Sequence, residues 1–336
     1  MGYEYNDIEY NSLEEKIDAI KKDNGITNEK YYNDLKNRLL NEYQDQRLEN
    51  ILETKIVENR YGEALKIIQK EKIEFKLKKR NFKKELFNDL KLVPNIGPSK
   101  EDKLNDNSFN TINSLLDHDK YCELAKTVID VIESGSFFEK INLIKKNSDS
   151  FKNIVKSMSL VKKENFKFMD IETLGLSNVP IILIGVAEIK GKNIISSQYL
   201  LREKNEEPAI LYELLNHLDE NSTYVTYNGT SFDVPFIKNR FSHYQMDYIQ
   251  EIINYDLLHF TRKLWKNSLP NCKLNTVEEY LFNIKRIDDV PGSRIPDYYN
   301  TYLQEKNIGP LIPIIEHNRI DIVSLSKFLM KIHDEI

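Results

Sequence analysis

The stretch FKFMDIETLGL, residues 166–176, carries a short apolar run that ends in two acidic residues, Asp170 and Glu172. Read as a buried strand, its side chains alternate between faces, so both carboxylates project the same way. Two further acidic residues stand in motifs downstream: Asp233 in YVTYNGTSFDVPF (224–236) and Asp321 in IIEHNRIDIVSL (314–325). From Leu311 to Ile332 apolar residues recur at helical spacing, which puts His317 and Asp321, at i and i+4, on one helix face. Like charges at close range raise one another's pKa, so a carboxylate cluster calls for a compensating cation. Oxygen-only ligation suits hard divalent ions, Mg2+ or Mn2+, whereas zinc favours His or Cys. Metal-assisted attack of water on a phosphodiester is the chemistry such a group implies.

Order and context add to each motif. A strand ends in D-x-E, then N-G-x-x-F-D opens a helix after the strand-like Thr223 to Tyr227, and His and Asp follow in a terminal helix. FMDIETLGL, YNGTSFDVPFI and EHNRIDIVSL resemble the three exonuclease motifs of the DEDD superfamily of 3′–5′ exonucleases, which have a ribonuclease H-like fold. More narrowly, YDLLHFTRKLW, CKLNTVEEYL, RIDDVPG and EHNRIDIVSL are similar to the YprB-type ribonuclease H-like family. The resemblance covers Asn165 to Ile336. It implies that Asp170, Glu172, Asp233 and Asp321 hold two divalent cations, and that His317 activates or orients the attacking water. His-type members place the His five residues before the last Asp, and Tyr-type members place a Tyr four before it. His317 stands at the Tyr-type spacing, as in the YprB-type pattern. A His with a pKa near ~6.5 can both take and give a proton near neutrality.

The 336 residues suffice for two domains or three small ones. With 53 acidic and 48 basic residues the net charge is −5, so no global basic field advertises nucleic acid. Charge is local instead: KEKIEFKLKKRNFKK (70–84) is strongly basic, either a solvated face or a contact for phosphates. Cys122 and Cys272 stand far apart without paired-ligand spacing, which argues against a disulfide framework or zinc and suits a reducing cytoplasm. The acidic amino terminus has no basic-then-apolar signal segment, and no apolar run reaches membrane-spanning length. A cytoplasmic protein without a membrane partner is expected.

Along the chain, Leu13, Ile17 and Ile20, then Leu35, Leu39 and Leu40, suggest amphipathic helices in a mainly helical region 1–90. KIVENRYGEALKII around Tyr61-Gly62 allows a hairpin within 54–76. Residues 91–155 form a second region, in which LVPNIGPSKEDKL (92–104) looks like a helix-hairpin-helix and NSFNTINSLL repeats the approach-and-helix pattern. Gly97 permits close backbone approach, the helix start after it favours an anion, and Lys100 and Lys103 add charge. The bland alternative is a structural helical hairpin or a protein-contact module. Asn95 stands where the usual pattern has Gly, and Asn tolerates left-handed geometry.

Residues 160–336 read as an α/β domain, a ribonuclease H-like mixed sheet flanked by helices with the site at strand ends. Strands are expected at Phe166–Ile171, Ile181–Ile189, Ile194–Leu201, Thr223–Tyr227 and Ile252–Tyr255. Asn228 and Gly229 shape the loop at the nucleotide cleft, and Tyr227, Phe232 and Phe236 are either stacking residues or core. Asp256, Arg262, Asp288, Asp289 and Asp297 are read as residues that back the site or lie at the surface, since nothing in their spacing demands metal. The function expected is a metal-dependent 3′–5′ exonuclease acting on single-stranded DNA or RNA. The rivals are a structure-specific endonuclease of the same fold and a catalytically silent nucleic-acid-binding scaffold.

Overall fold

The computed structural model describes residues 28–78, 81–147, 151–248 and 252–336. Leu13, Ile17 and Ile20 of the first expected helix lie outside them. Seven strands form one mixed sheet: β1 (Thr54–Asn59), β2 (Gly62–Lys72), β3 (Phe166–Thr173), β4 (Ile181–Lys190), β5 (Asn193–Leu200), β6 (Thr223–Thr226) and β7 (Ile253–Asp256). Their spatial order is β1-β2-β5-β4-β3-β6-β7. β3 sits between antiparallel β4 and parallel β6, and β7 continues parallel to β6. The five strands expected in the C-terminal half all form, with ends shifted by up to two residues, as is usual where terminal pairing frays.

The hairpin near Tyr61-Gly62 forms as β1 and β2, and Gly62 supplies the positive φ of +121° that its tight turn requires. Its destination lay beyond local pattern. β2 pairs antiparallel with β5 from Leu65↔Leu200 to Lys72↔Asn193, so the sheet takes strands from both sides of residue 160. Ala64, Leu65 and Ile67 of β2 are buried in the second of the two hydrophobic clusters. A chain beginning at 160 would therefore uncover one edge of β5 together with this apolar surface. The basic run starts on β2, continues outside regular structure through residue 78, and resumes at helix Phe82–Phe87.

Period-2 alternation in β3 sorts its side chains. Phe166 and Phe168 join one hydrophobic cluster, while Met169 and Ile171 join the other. Asp170 and Glu172 continue the Phe166/Phe168 face. The first cluster extends from Phe82 through the helices Cys122–Ser134 and Phe137–Asn147 to Phe328 and Ile332, so the helical region packs directly on the sheet. The terminal helix Leu311–Asp334 belongs to both clusters: Ile314 and Ile315 to the second, Ile322, Leu325, Phe328, Leu329 and Ile332 to the first. The changeover falls at 316–321, where every residue but Ile320 is polar.

In the region 91–155, Asn95 takes the left-handed turn (φ 69°), while Gly97 is extended (φ −104°, ψ 178°) and caps helix Pro98–Asp106. Lys100 Nζ donates to Asn95 O at 2.8 Å and braces the hairpin, and Lys103 is exposed. The second half departs from expectation. Asn113–Asp117 is a 3-10 turn, because Thr111 and Ser114 hydrogen-bond each other's backbone groups and offer the chain an alternative to helix. The next helix starts at Cys122.

Candidate active site

Separate elements bring the acidic motifs together. Asp170 and Glu172 come from β3, Asp233 from the first turn of helix Asp233–His243, and His317 and Asp321 from the terminal helix. Asp233 Oδ1 accepts the N–H of Ile171 at 3.1 Å, which ties its helix to the strand between Asp170 and Glu172. That helix is pinned further on. Arg240 Nε and Nη2 donate to Glu207 at 2.7 and 2.6 Å, and Glu207 Oε1 also accepts from Ile181 N at 3.0 Å. Asn318 Nδ2 donates to Asp170 Oδ2 at 2.8 Å, and its own Oδ1 accepts from Gln198 Nε2 at 2.9 Å.

Asn318 can approach because the facing residue of β4 is Gly185, the register partner of Asp170. A Cβ at Gly185 would stand 2.1 Å from Asn318 Oδ1. Gly185→Ala is therefore expected to cost roughly 1–3 kcal/mol through overpacking. Chemical denaturation of Gly185→Ala alone and with Asn318→Ala tests the cause. The second change should restore part of the loss by vacating the space, and strictly additive losses would contradict it.

His317 lies against three carboxylates, those of Glu172, Asp321 and Asp289. Its Nδ1 donates to Asp289 Oδ1 at 2.7 Å, and its Nε2 lies 3.8 Å from Glu172 Oε1 and 3.7 Å from Asp321 Oδ2. Arg286 hydrogen-bonds Asp321 Oδ1 through Nη2, and donates from Nε to Glu278 Oε2 at 2.7 Å. Its side chain is only 7% exposed. Arg286 Nη1 is also 3.3 Å from His317 Nδ1, a contact between two donors that the surrounding carboxylates make tolerable, since Nδ1 is already committed to Asp289.

Burial and mutual repulsion dominate the electrostatics. Burial, then Asp321, Glu172 and Asp233, hold Asp170 well above the usual carboxylate range, against the Asn318 hydrogen bond. Burial also raises Glu172 to about 8 and Asp233 to about 7. Burial disfavours charge on His317, but Asp321, Asp289 and Glu172 outweigh it and raise its pKa to about 9. All these shifts have one sign. A group whose folded pKa exceeds its unfolded value contributes fully below the unfolded pKa and loses that contribution as pH rises through the folded one. For Glu172 the window runs from 4.5 to about 8, and for His317 from 6.5 to about 9. In EDTA the melting temperature is expected to fall across that range, and added Mg2+ or Mn2+ to raise it more at pH 8 than at pH 5, because ligands bind deprotonated. A metal effect that is equal at both pH values would contradict the cluster's titration.

The donor set fits a hard cation in chemistry: buried carboxylates, oxygen ligands and an incomplete counter-charge. Among the described residues, no three His, Cys, Asp or Glu side chains converge so as to hold one ion as they stand. Arg286 lies against Asp321 instead and supplies part of the positive charge.

The residues read from sequence as lying around the site take definite places. Asp256 accepts from Asn228 N (2.8 Å), Thr230 N (3.0 Å) and Leu258 N (3.1 Å), so it shapes the loop before Asp233 and caps helix Leu257–Trp265. Its signal was available, since an Asp between a strand and an apolar helix start is a capping position. Asn228 adopts φ 64° in that loop. Tyr227 and Phe236 pack inward, the Tyr227 hydroxyl donating to Cys272 O at 2.6 Å. Asp297 pairs at the surface with Lys36.

The family model of the RNase H superfamily matches residues 167–332. Every acidic residue of the cluster falls inside that match. The C-terminal half of the chain is thus similar to the RNase H superfamily. Over 168 residues, 48% of this chain, it is 33% identical to the uncharacterized protein YprB of Bacillus subtilis (strain 168). The match covers 40% of that relative's length, so the chain spans well under half of it. No helix among the described residues is long and apolar enough to cross a membrane.

Proposed function

We propose that the protein is a metal-dependent 3′–5′ exonuclease that hydrolyses single-stranded DNA or RNA. One observation carries the reading: four carboxylates drawn from three elements are brought into one electrostatically linked group, with Glu172 and Asp321 on either side of His317 Nε2. Asp170, Glu172, Asp233 and Asp321 would hold two divalent cations, Mg2+ or Mn2+, which when bound supply Lewis acidity and a more acidic water. His317 would accept or steer a proton of the attacking water through Nε2, while Asp289 on Nδ1 fixes the ring and favours the imidazolium. Asn318 orients Asp170, and Arg286 offsets the charge of Asp321. Asp256 shapes the Asn228 loop for the nucleotide.

Away from the chemistry, the hairpin at 94–97 serves as a phosphate contact through Gly97, Lys100 and Lys103, acting on nucleic acid in the cytoplasm. Because β1 and β2 complete the sheet, its role is best tested by point changes such as Lys103→Glu, and not by truncation. The functional test is digestion of end-labelled single-stranded DNA and RNA side by side, with Mg2+ and with Mn2+. A ladder shortening from the 3′ end supports the reading. Cutting of a circular strand would replace it with an endonuclease, and no cutting with either ion would leave a binding scaffold.

A further inference from the structure

Four residues stand side by side across the sheet: Asp170 on β3 is in register with Gly185 on β4, Gly185 with Gln198 on β5, and Gln198 with Ile67 on β2. The glycine leaves a gap in that row, and the Asn318 amide fills it from the terminal helix. Gln198 is wholly buried, and Ile67, also wholly buried, closes the row on its far side. Gln198 Nε2 donates to Ile315 O at 2.8 Å and to Asn318 Oδ1 at 2.9 Å. Asn318 Nδ2 in turn donates to Asp170 Oδ2 at 2.8 Å and to Asp170 O at 3.2 Å. A relay of two amides thus runs from a helix carbonyl to the first acidic residue of the cluster.

The direction of the relay is forced from one end. A main-chain carbonyl only accepts, so Ile315 O requires the nitrogen of the Gln198 amide to face it. The second hydrogen of that nitrogen then requires an acceptor, which sets Asn318 Oδ1 toward Gln198 and Nδ2 toward Asp170. Both hydrogens of Nδ2 are spent on Asp170, one on its main-chain oxygen and one on its carboxylate, so the side chain is held at two points. Gln198 Oε1 is left buried with no hydrogen-bond partner among the described residues. A buried acceptor without a partner destabilises a fold, and an apolar side chain in its place would avoid that cost. Its presence points to a use for the donor end of the same amide. We propose that Gln198 is a positioning residue for the cation site: acting through Asn318, it fixes the Asp170 carboxylate with Oδ2 occupied and Oδ1 left for a divalent ion. The inference rests on the metal-site reading of the four carboxylates and extends it to a residue of β5 that lies outside all three acidic motifs.

The test is Mn2+ binding by the full chain in the absence of nucleic acid, measured by isothermal titration calorimetry at one fixed pH. Wild-type protein is compared with Gln198→Met, Asn318→Ala and the double variant, each shown to be folded by its metal-free melting curve. Gln198→Met and Asn318→Ala should each weaken Mn2+ binding by roughly 10–100-fold, the usual effect of removing a group that orients a metal ligand from behind. Because Gln198 acts through Asn318, the double variant should bind no more weakly than Asn318→Ala alone. A merely structural role for Gln198 would instead add its own loss. Gln198→Leu carries the same expectation and replaces Gln198→Met if that variant does not fold. Wild-type affinity in the Gln198 variant, or losses that multiply in the double variant, overturns the proposal and leaves the metal site standing. Wild-type protein that binds no Mn2+ would defeat the metal-site reading itself, and the role of Gln198 with it.

Discussion

Asp170→Asn is expected to abolish phosphodiester cleavage while raising the melting temperature of the metal-free protein. Lewis-acid stabilisation of the transition state is worth several kcal/mol, and each ~1.4 kcal/mol is a factor of ten in rate, so a loss of about 10³-fold or more is expected. Stability moves the other way because Asp170 is held well above the usual carboxylate range by burial and by Asp321, Glu172 and Asp233. A neutral amide has no ionisation to suppress, yet its oxygen can still accept from Asn318 Nδ2, which now donates at 2.8 Å. Thermal melts at pH 8 in EDTA, beside digestion assays on the same preparations, check both halves. A destabilised variant, or one that cleaves normally, would contradict the role given to Asp170.

His317→Ala is expected to slow cleavage by roughly 10²–10⁴-fold, the usual contribution of a positioned base. The pH profile separates base from positioner. In the metal-free arrangement burial opposes charge on His317, but Asp321, Asp289 and Glu172 raise it to about 9, so at neutral pH the ring is protonated. Bound divalent cations oppose that proton, and the acidic limb of the rate profile reports the value that results. Asp289→Asn removes the anion bonded at Nδ1, which destabilises the imidazolium and should move the limb to lower pH. His317→Tyr should shift or remove the limb. If both variants keep the wild-type profile, His317 orients water and does not accept its proton.

How far the site was legible depended on whether a residue's partners were near it in sequence. The alternation of Phe166, Phe168, Asp170 and Glu172 sets one face by backbone geometry alone, and β3 forms with that face intact. The helical spacing through Leu325 and Phe328 likewise placed His317 beside Asp321. The hairpin was readable from its turn, but its pairing with β5 spans more than a hundred residues and has no local signal. Arg286 was hidden in the same way, because the carboxylates that hold it, Glu278 and Asp321, come from two helices that meet only in the fold. Asn318 looked like an ordinary helical residue until Gly185 opened the space it fills. The second half of the hairpin region failed for a local reason, since Thr111 and Ser114 compete for the backbone that a helix needs.

The central claim is that the four carboxylates constitute a nuclease site. It is tested most directly by a time course of a 5′-labelled single strand with Mn2+, run in parallel for wild-type protein, Asp170→Asn, Asp233→Asn and Asp321→Asn. A ladder that shortens progressively with the wild-type chain and is absent from all three variants is the predicted result. Equal shortening by any one of the variants, or an intact strand in every lane, would contradict it.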